Sequence, residues 1–194
     1  MDLREVEYIL DLDENQIDCL MGKKLAEHEQ YVKLANYDCE VWCFWGDYLT
    51  YQKTLLKWNI KPKKIVDIGC HLGIQSIIFD CPYLGIEAWD NKDYFWQKET
   101  NEYIVGRFPE DGLDELVNGN VVISNMSLGY TKIVETDGIA EALKKADVIF
   151  ISAPESLVKE IAKKGCFEVG ILREVEKIND NFCIDGRYML FREA

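Results

Sequence analysis

The sequence predicts an α/β fold: a doubly wound, mostly parallel sheet with a C-terminal antiparallel hairpin and an N-terminal helical extension. Three observations predict it. From Lys61 onward, short apolar runs alternate with helix-like segments, the pattern of a parallel sheet with helices on both faces. A strand ending in Asp67 runs into a Gly-containing loop that opens a helix. Near the C-terminus, Asp185-Gly186 stands between two apolar runs, a short-range hairpin signal.

The elements follow in order. Residues 1–60 read as acidic and helical, with Leu20, Leu25, Val32 and Leu34 on a rough stripe and a second helix from Tyr48 to Trp58. Between them lies an aromatic cluster, Tyr37, Trp42, Phe44, Trp45 and Tyr48, read as packing for the extension, with a lid over a flat ligand as the sharper alternative. Strands are expected at Lys64–Gly69, Tyr83–Ala88, Val121–Ser124, Ala146–Ser152 and Val169–Leu172. Helices are expected at Ile74–Phe79, Asp90–Val105, Leu113–Val117, Ile139–Lys145 and Glu155–Lys164. Phe182-Cys183-Ile184 and Tyr188-Met189-Leu190-Phe191 are the expected hairpin arms. The four prolines, Pro62, Pro82, Pro109 and Pro154, fall near expected boundaries, where proline is tolerated. This gives an extension over 1–60 packed on a core domain over 61–194.

Composition bounds the function. The chain has 194 residues, 48% of them hydrophobic, and 22 Lys+Arg against 35 Asp+Glu give a net charge of −13. A chain of this length buries a core without disulfides or a structural metal. The acidic balance disfavours a broad nucleic-acid footprint, which needs Lys and Arg in excess, and docking on anionic membranes. Met1-Asp2-Leu3-Arg4-Glu5 does not read as a signal peptide, so a soluble, cytoplasmic protein is expected. Seven cysteines (Cys19, Cys39, Cys43, Cys70, Cys81, Cys166, Cys183) lack any Cys-x-x-Cys pair. They read as free thiols in a reducing compartment. A metal site from Cys39, Cys43 and His28 is the minor alternative, and no metal is expected.

The stretch that carries chemistry is Ile65-Val66-Asp67-Ile68-Gly69-Cys70-His71-Leu72-Gly73. Gly69 and Gly73 let the backbone turn tightly and approach a ligand, and the helix start offers N–H groups to it. A dinucleotide fingerprint needs Gly-x-Gly-x-x-Gly, and His71 stands near the place of its missing glycine. No P-loop pattern occurs. Asp-x-Gly-x-x-x-Gly at the first strand end resembles motif I of class I S-adenosylmethionine-dependent methyltransferases. Tyr83-Leu84-Gly85-Ile86-Glu87-Ala88-Trp89 adds to the resemblance, since that family carries a ribose-binding acid at the end of its second strand.

The resemblance spans roughly 61–194 and implies a Rossmann-like domain, S-adenosyl-L-methionine as cofactor, and methyl transfer. It implies cofactor contacts from Asp67, Gly69, Cys70, His71, Gly73, Glu87, Ala88, Trp89, Met126 and Ser127. A carboxylate suits a vicinal diol because it accepts two hydrogen bonds, and Trp89 would stack on the adenine. The motif I loop with its histidine, and Asn125-Met126-Ser127-Leu128-Gly129, are most similar to the FkbM-like branch, mostly O-methyltransferases of small molecules and sugars. A small-molecule or carbohydrate-like acceptor is the partner implied. That branch carries Asp-x-Glu-Gly after its fourth strand; here the segment reads Ile151-Ser152-Ala153-Pro154-Glu155-Ser156.

His71, Ser152 and Glu155 are the candidate catalytic residues. Histidine suits general-base work on a hydroxyl, and the other two stand at the strand end that faces the reactive methyl in such enzymes. The bland readings are loop packing for His71 and a first-turn acid for Glu155. Two alternatives stay open. Ala146–Pro154 resembles a strand of nicotinamide-dependent oxidoreductases, and a non-catalytic cofactor-binding or interaction module fits the altered fourth-strand segment. The extension reads as a cover for the active site, a homodimer contact, or both.

Overall fold

The computed structural model describes residues 1–34, 43–110, 112–125, 127–128, 136–174 and 186–192. The chain divides into two compact units.

The first unit comprises residues 1–61, 72–82 and 91–101. Helix α1 (Leu3–Leu10) starts where the Asp2 carboxylate accepts the Glu5 N–H at 2.9 Å. Helix α2 (Glu14–Ala26) starts on a capping box between Asp13 and Gln16, which satisfies two orphan backbone donors. A short helix α3 (Tyr31–Leu34) follows, then α4 (Trp45–Lys57). Val6 and Ile9 of α1 and Ile17, Met21 and Leu25 of α2 are buried, as are Trp45, Tyr48, Leu49, Tyr51 and Leu55 of α4. Both α1 and α2 pack on α4. Residues Ile74–Ile78 form a 3-10 helix that also meets α4, where Gln75 donates to the Tyr48 hydroxyl at 3.4 Å. Phe79 packs edge-on against Tyr48. The 91–101 stretch is pinned by backbone bonds and side chains: Trp96 N–H to the Leu72 carbonyl at 2.8 Å, Gln97 N–H to Gln30 at 2.6 Å, and Trp96 edge-on to His28.

The second unit comprises 62–71, 83–90 and 102–194 and carries most of a seven-stranded sheet. Its strands are β1 (Ile65–Ile68), β2 (Tyr83–Glu87), β3 (Asn101–Val105), β4 (Val121–Ser124), β5 (Val148–Ala153), β6 (Glu168–Glu174) and β7 (Gly186–Phe191). Their order is β3-β2-β1-β4-β5-β7-β6. The pairs β1–β2, β1–β4 and β4–β5 are parallel; β5–β7 and β6–β7 are antiparallel. Helices α5 (Thr136–Leu143) and α6 (Glu155–Gly165) pack on one another, and residues Leu113–Val117 form a 3-10 helix.

The strands β1, β2, β4 and β5 are buried along their whole length, as expected of parallel strands covered on both faces. Strand alternation sorts their side chains. Val66, Ile68, Leu84, Ile86, Val122, Ile149 and Ile151 join Ile139 and Leu143 of α5 and Leu157 and Ile161 of α6 in one core. Asp67, Tyr83, Ile123, Phe150, Ser152, Arg187 and Met189 leave the opposite face. Arg192 fastens the end of β7 to the helix layer. It lies 4.1 Å over the Phe167 ring and donates to the Gly165 and Ala146 carbonyls at 3.1 and 2.7 Å.

Two expectations need correction. No helix runs from Asp90 to Val105: Asn91–Phe95 is a single turn and Asn101–Val105 is strand β3. The apolar residues there, Tyr94-Phe95-Trp96 and Tyr103-Ile104-Val105, come in contiguous blocks. They cannot form one stripe at a helical period, and the second block has strand formers. The C-terminal hairpin exists, but its first arm is β6, the run expected as an independent fifth strand. Gly186 pairs with Glu174 as the last pair of that ladder, where β7 begins. Residues 182–185 lie outside the described residues, as do Tyr37, Cys39 and Trp42. Trp45 and Tyr48 of the aromatic cluster are buried, whereas Phe44 is partly exposed. No described helix is long and apolar enough to cross a membrane.

Candidate functional site

The site is built where β1, β2 and β4 end together. Their parallel register brings Ile68 opposite Ile86 and Asp67 opposite Ile123, so the loops that follow emerge side by side. Ligands bind outside the carboxyl ends of strands in sheets of this kind.

Asp67 is fully buried, and its carboxylate accepts the Tyr83 hydroxyl at 2.6 Å. Beyond it the chain turns through Gly69 at φ +77° and His71 at φ +52°. The Gly69 and Cys70 N–H groups both donate to the Ile86 carbonyl, at 2.7 and 3.3 Å. Gly69 is required twice over. A Cβ there would lie 2.1 Å from the Ser127 Cβ, and the left-handed backbone disfavours a side chain. Ser127 holds the other side of this contact. Its hydroxyl donates to the Ile68 carbonyl at 2.5 Å and lies 2.8 Å from the Ser124 hydroxyl.

Glu87 ends β2 and clasps the turn. One carboxylate oxygen accepts the His71 N–H at 2.9 Å, and the other accepts the Ala88 N–H at 2.8 Å. A carboxylate has about four lone-pair positions, so each oxygen keeps accepting capacity. Trp89 is 72% exposed, and its carbonyl accepts the Tyr103 hydroxyl at 2.6 Å. Burial lowers the His71 pKa, and the Glu87 charge partly opposes this; the imidazole is therefore neutral at pH 7. Burial, and then the charges of Asp67 and Glu87, push the Cys70 thiol well above its usual range. Cys70 stays protonated and fills space.

The structure thus brings together Asp67, Gly69, Cys70, His71, Glu87, Ala88 and Ser127. Gly73 falls in the first compact unit, at φ +67°, where a Cβ would meet the Phe95 ring at 2.2 Å. Met126 lies outside the described residues. Ser152 is fully buried and donates to the Asn125 side chain at 2.7 Å. Glu155 is exposed in the first turn of α6 and pairs with Lys159 at 3.0 Å. Sequence reasoning missed Tyr83, Ser124, Asn125 and Arg187. The signal for Arg187 was a charge inside the apolar run Gly186–Phe191. The others show only once the register is known. No cluster of metal-ligating side chains occurs among the described residues.

The mostly parallel sheet of order β3-β2-β1-β4-β5-β7-β6, with β7 antiparallel, belongs to a chain that superposes on solved methyltransferase structures. The fold is that of the class I methyltransferases. The methyltransferase domain of a bacterial CtHen1 superposes with a TM-score of 0.58 at 11% identity, covering 77% of this chain and 100% of that one. WbdD, a bifunctional kinase-methyltransferase, gives a TM-score of 0.51 at 16% identity over 75% of this chain and 38% of that chain. A methyltransferase assigned to an antibiotic biosynthesis pathway of Anabaena variabilis gives 0.50 at 10% identity, covering 68% of this chain and 67% of the other. No protein-family model and no curated protein matches the sequence. At these identities the likeness to methyltransferases is one of fold.

Proposed function

We propose that the protein is an S-adenosylmethionine-dependent methyltransferase acting on a hydroxyl of a small-molecule or carbohydrate-like acceptor. The carrying observation is the Glu87 carboxylate, held at the end of β2 by the His71 and Ala88 N–H groups within a methyltransferase fold. A carboxylate fixed by two backbone donors is oriented in advance for a ribose diol, which lowers the entropic cost of binding.

The residues fit the cofactor. Glu87 would take the ribose hydroxyls, and the exposed Trp89 ring would cover the adenine. Gly69, Cys70 and His71 would line the turn beside it, with Asp67 and Ser127 holding that turn in shape. When bound, S-adenosylmethionine supplies an electrophilic methyl group. The protein then has to position the acceptor in line and remove its proton. In this reading the neutral His71 imidazole would accept the hydroxyl proton of the acceptor, while the bound cofactor would supply the methyl group and leave as the thioether, its sulfur keeping the electron pair of the broken bond. Ser152 donates to Asn125, and Glu155 lies exposed on α6 beside Lys159, which is why this reading gives the base role to His71. The histidine-bearing loop also favours the FkbM-like branch.

Isothermal titration with S-adenosylmethionine, S-adenosylhomocysteine, NAD and NADP tests the reading. Micromolar binding of the two sulfur nucleotides alone is expected. Binding of a nicotinamide cofactor instead would overturn it, as would binding of none by a folded protein.

A further inference from the structure

The two strand ends that meet in the Glu87 clasp are tied together a second time a few residues on. Past His71 the chain enters Leu72 and Gly73; past Glu87 it runs on to residues 91–97. The Trp96 N–H donates to the Leu72 carbonyl at 2.8 Å, and both residues are buried. Phe95 lies so close to Gly73 that a Cβ there would fall 2.2 Å from its ring. The Glu87 side chain accepts the His71 N–H at 2.9 Å. That bond and the Trp96–Leu72 bond therefore close one ring of chain, through residues 71–72 and 87–96. The exposed Trp89 stands in the same ring. Each residue has only two soft backbone dihedrals. In so short a ring, a shift at Trp96 is passed to the remaining members, the Glu87 clasp among them.

What fixes Trp96 comes from a distant part of the sequence. Gln30, in the turn between α2 and α3, forms a reciprocal pair with Gln97. The Gln97 N–H donates to Gln30 Oε1 at 2.6 Å, and Gln30 Nε2 donates to the Gln97 carbonyl. A carboxamide carries a donor and an acceptor side by side, so one side chain engages both backbone groups of Gln97. His28, from the same turn, meets the Trp96 ring edge-on with centroids 5.2 Å apart. Gln97 is exposed and Gln30 only partly buried. Polar pairs at such places add little to global stability. The specific effect of this one is to fix where residues 96 and 97 lie.

We propose that Gln30 is a positioning residue for the Glu87–His71 clasp, acting through Gln97, Trp96 and Leu72. The contacts run Gln30 to Gln97, Trp96 to Leu72 and His71 to Glu87, with covalent bonds joining each pair to the next. What the clasp binds rests on the methyltransferase reading; the positioning does not. Coupling of this kind is reciprocal, so a nucleotide that orders the clasp also orders the Gln30–Gln97 pair.

The test is amide hydrogen exchange on the full chain labelled with nitrogen-15. The amides followed are His71 and Ala88, both held by Glu87, and Gln97, with Val66 in β1 reporting global opening. Gln30→Ala should speed exchange at Gln97, and at His71 and Ala88 by about three- to tenfold relative to Val66, the effect of losing an exposed hydrogen bond or two. His28→Ala, which removes the edge contact on Trp96, should act in the same direction. Asp13→Ala strips the α2 cap without touching the Gln30–Gln97 pair, and should leave the ratio to Val66 unchanged. A ratio that stays constant in Gln30→Ala, or that moves as far in Asp13→Ala, overturns the proposal. Calorimetry of the same proteins with S-adenosylhomocysteine separates the two readings. Gln30→Ala should weaken binding by about the same factor as it speeds exchange. Binding that Gln30→Ala leaves unweakened overturns the positioning role. Wild-type protein that shows the exchange coupling but binds no S-adenosylhomocysteine supports the positioning and sinks the cofactor assignment alone.

Discussion

Replacing Gly69 by alanine tests how tightly the turn after β1 is built. The backbone at φ +77° costs an L-residue roughly 1–2 kcal/mol. The new methyl would lie 2.1 Å from the Ser127 Cβ and 2.6 Å from its Oγ, so Ser127 must move. Moving it breaks its bond to the Ile68 carbonyl and its contact with Ser124, each worth about 1 kcal/mol. Residual overpacking adds roughly 1 kcal/mol more. The expected loss is about 4 kcal/mol, or about 8–16 °C in Tm for a chain of this size. Urea unfolding followed by circular dichroism measures it. The decisive comparison is a double-mutant cycle with Ser127→Gly, which removes the obstructing side chain. Gly69→Ala should then cost only the backbone strain, giving a coupling of about 2–3 kcal/mol between the two positions. A loss below about 1 kcal/mol in the single variant, or additive losses in the double, would refute this packing argument.

The other predictions concern the carboxylates and the histidine. Glu87→Gln should weaken S-adenosylhomocysteine binding by about 10- to 100-fold, measured by calorimetry, because hydrogen bonds to an ionised acceptor are worth roughly 1.5–3 kcal/mol; unchanged affinity would remove Glu87 from the site. Tyr83→Phe strips a donor from the buried Asp67 carboxylate and should cost about 2 kcal/mol in urea unfolding, so a neutral result would show that the bond does not hold Asp67. His71 has a lowered pKa in the folded protein. The unfolded chain therefore binds its proton first, and stability should fall as pH drops from about 6.5 to the folded value and then level off. His71→Gln should flatten that part of the stability profile; an unchanged profile would show that His71 does not titrate as described.

Much of the sheet was legible because buried parallel strands read as short apolar runs between turn signals. Ile65–Ile68, Tyr83–Glu87, Val121–Ser124 and Val148–Ala153 all have that form. Asp67, Gly69 and Glu87 were legible for a different reason: a loop that must turn sharply at a strand end leaves fixed residue types at fixed spacing. Strand β3 was not legible, because Asp90–Val105 holds two apolar blocks and the intervening polar residues suit a helix surface as well as a loop. The C-terminal hairpin was legible as two apolar runs beside a turn signal, but the arm paired with β7 is β6, and the ladder ends where Gly186 meets Glu174; residues 182–185 lie outside the described residues. The contacts that set up the site, Tyr83 to Asp67, Ser127 to Ile68 and Ser152 to Asn125, join residues 16, 59 and 27 positions apart. Only the strand register creates them.

The first compact unit draws on three separate stretches of chain, ending with residues 91–101. This has a bearing on synthesis. When residue 61 leaves the ribosome, α1, α2 and α4 are complete, but Phe79 and Trp96, which pack against Tyr48 and His28, are still to be made. The helical segment must wait roughly forty residues, or about 2–8 s at ordinary elongation rates, with part of its apolar surface open to water. A nascent chain in that interval is the form most exposed to aggregation and to chaperones, and cutting the gene after residue 61 would make that interval permanent.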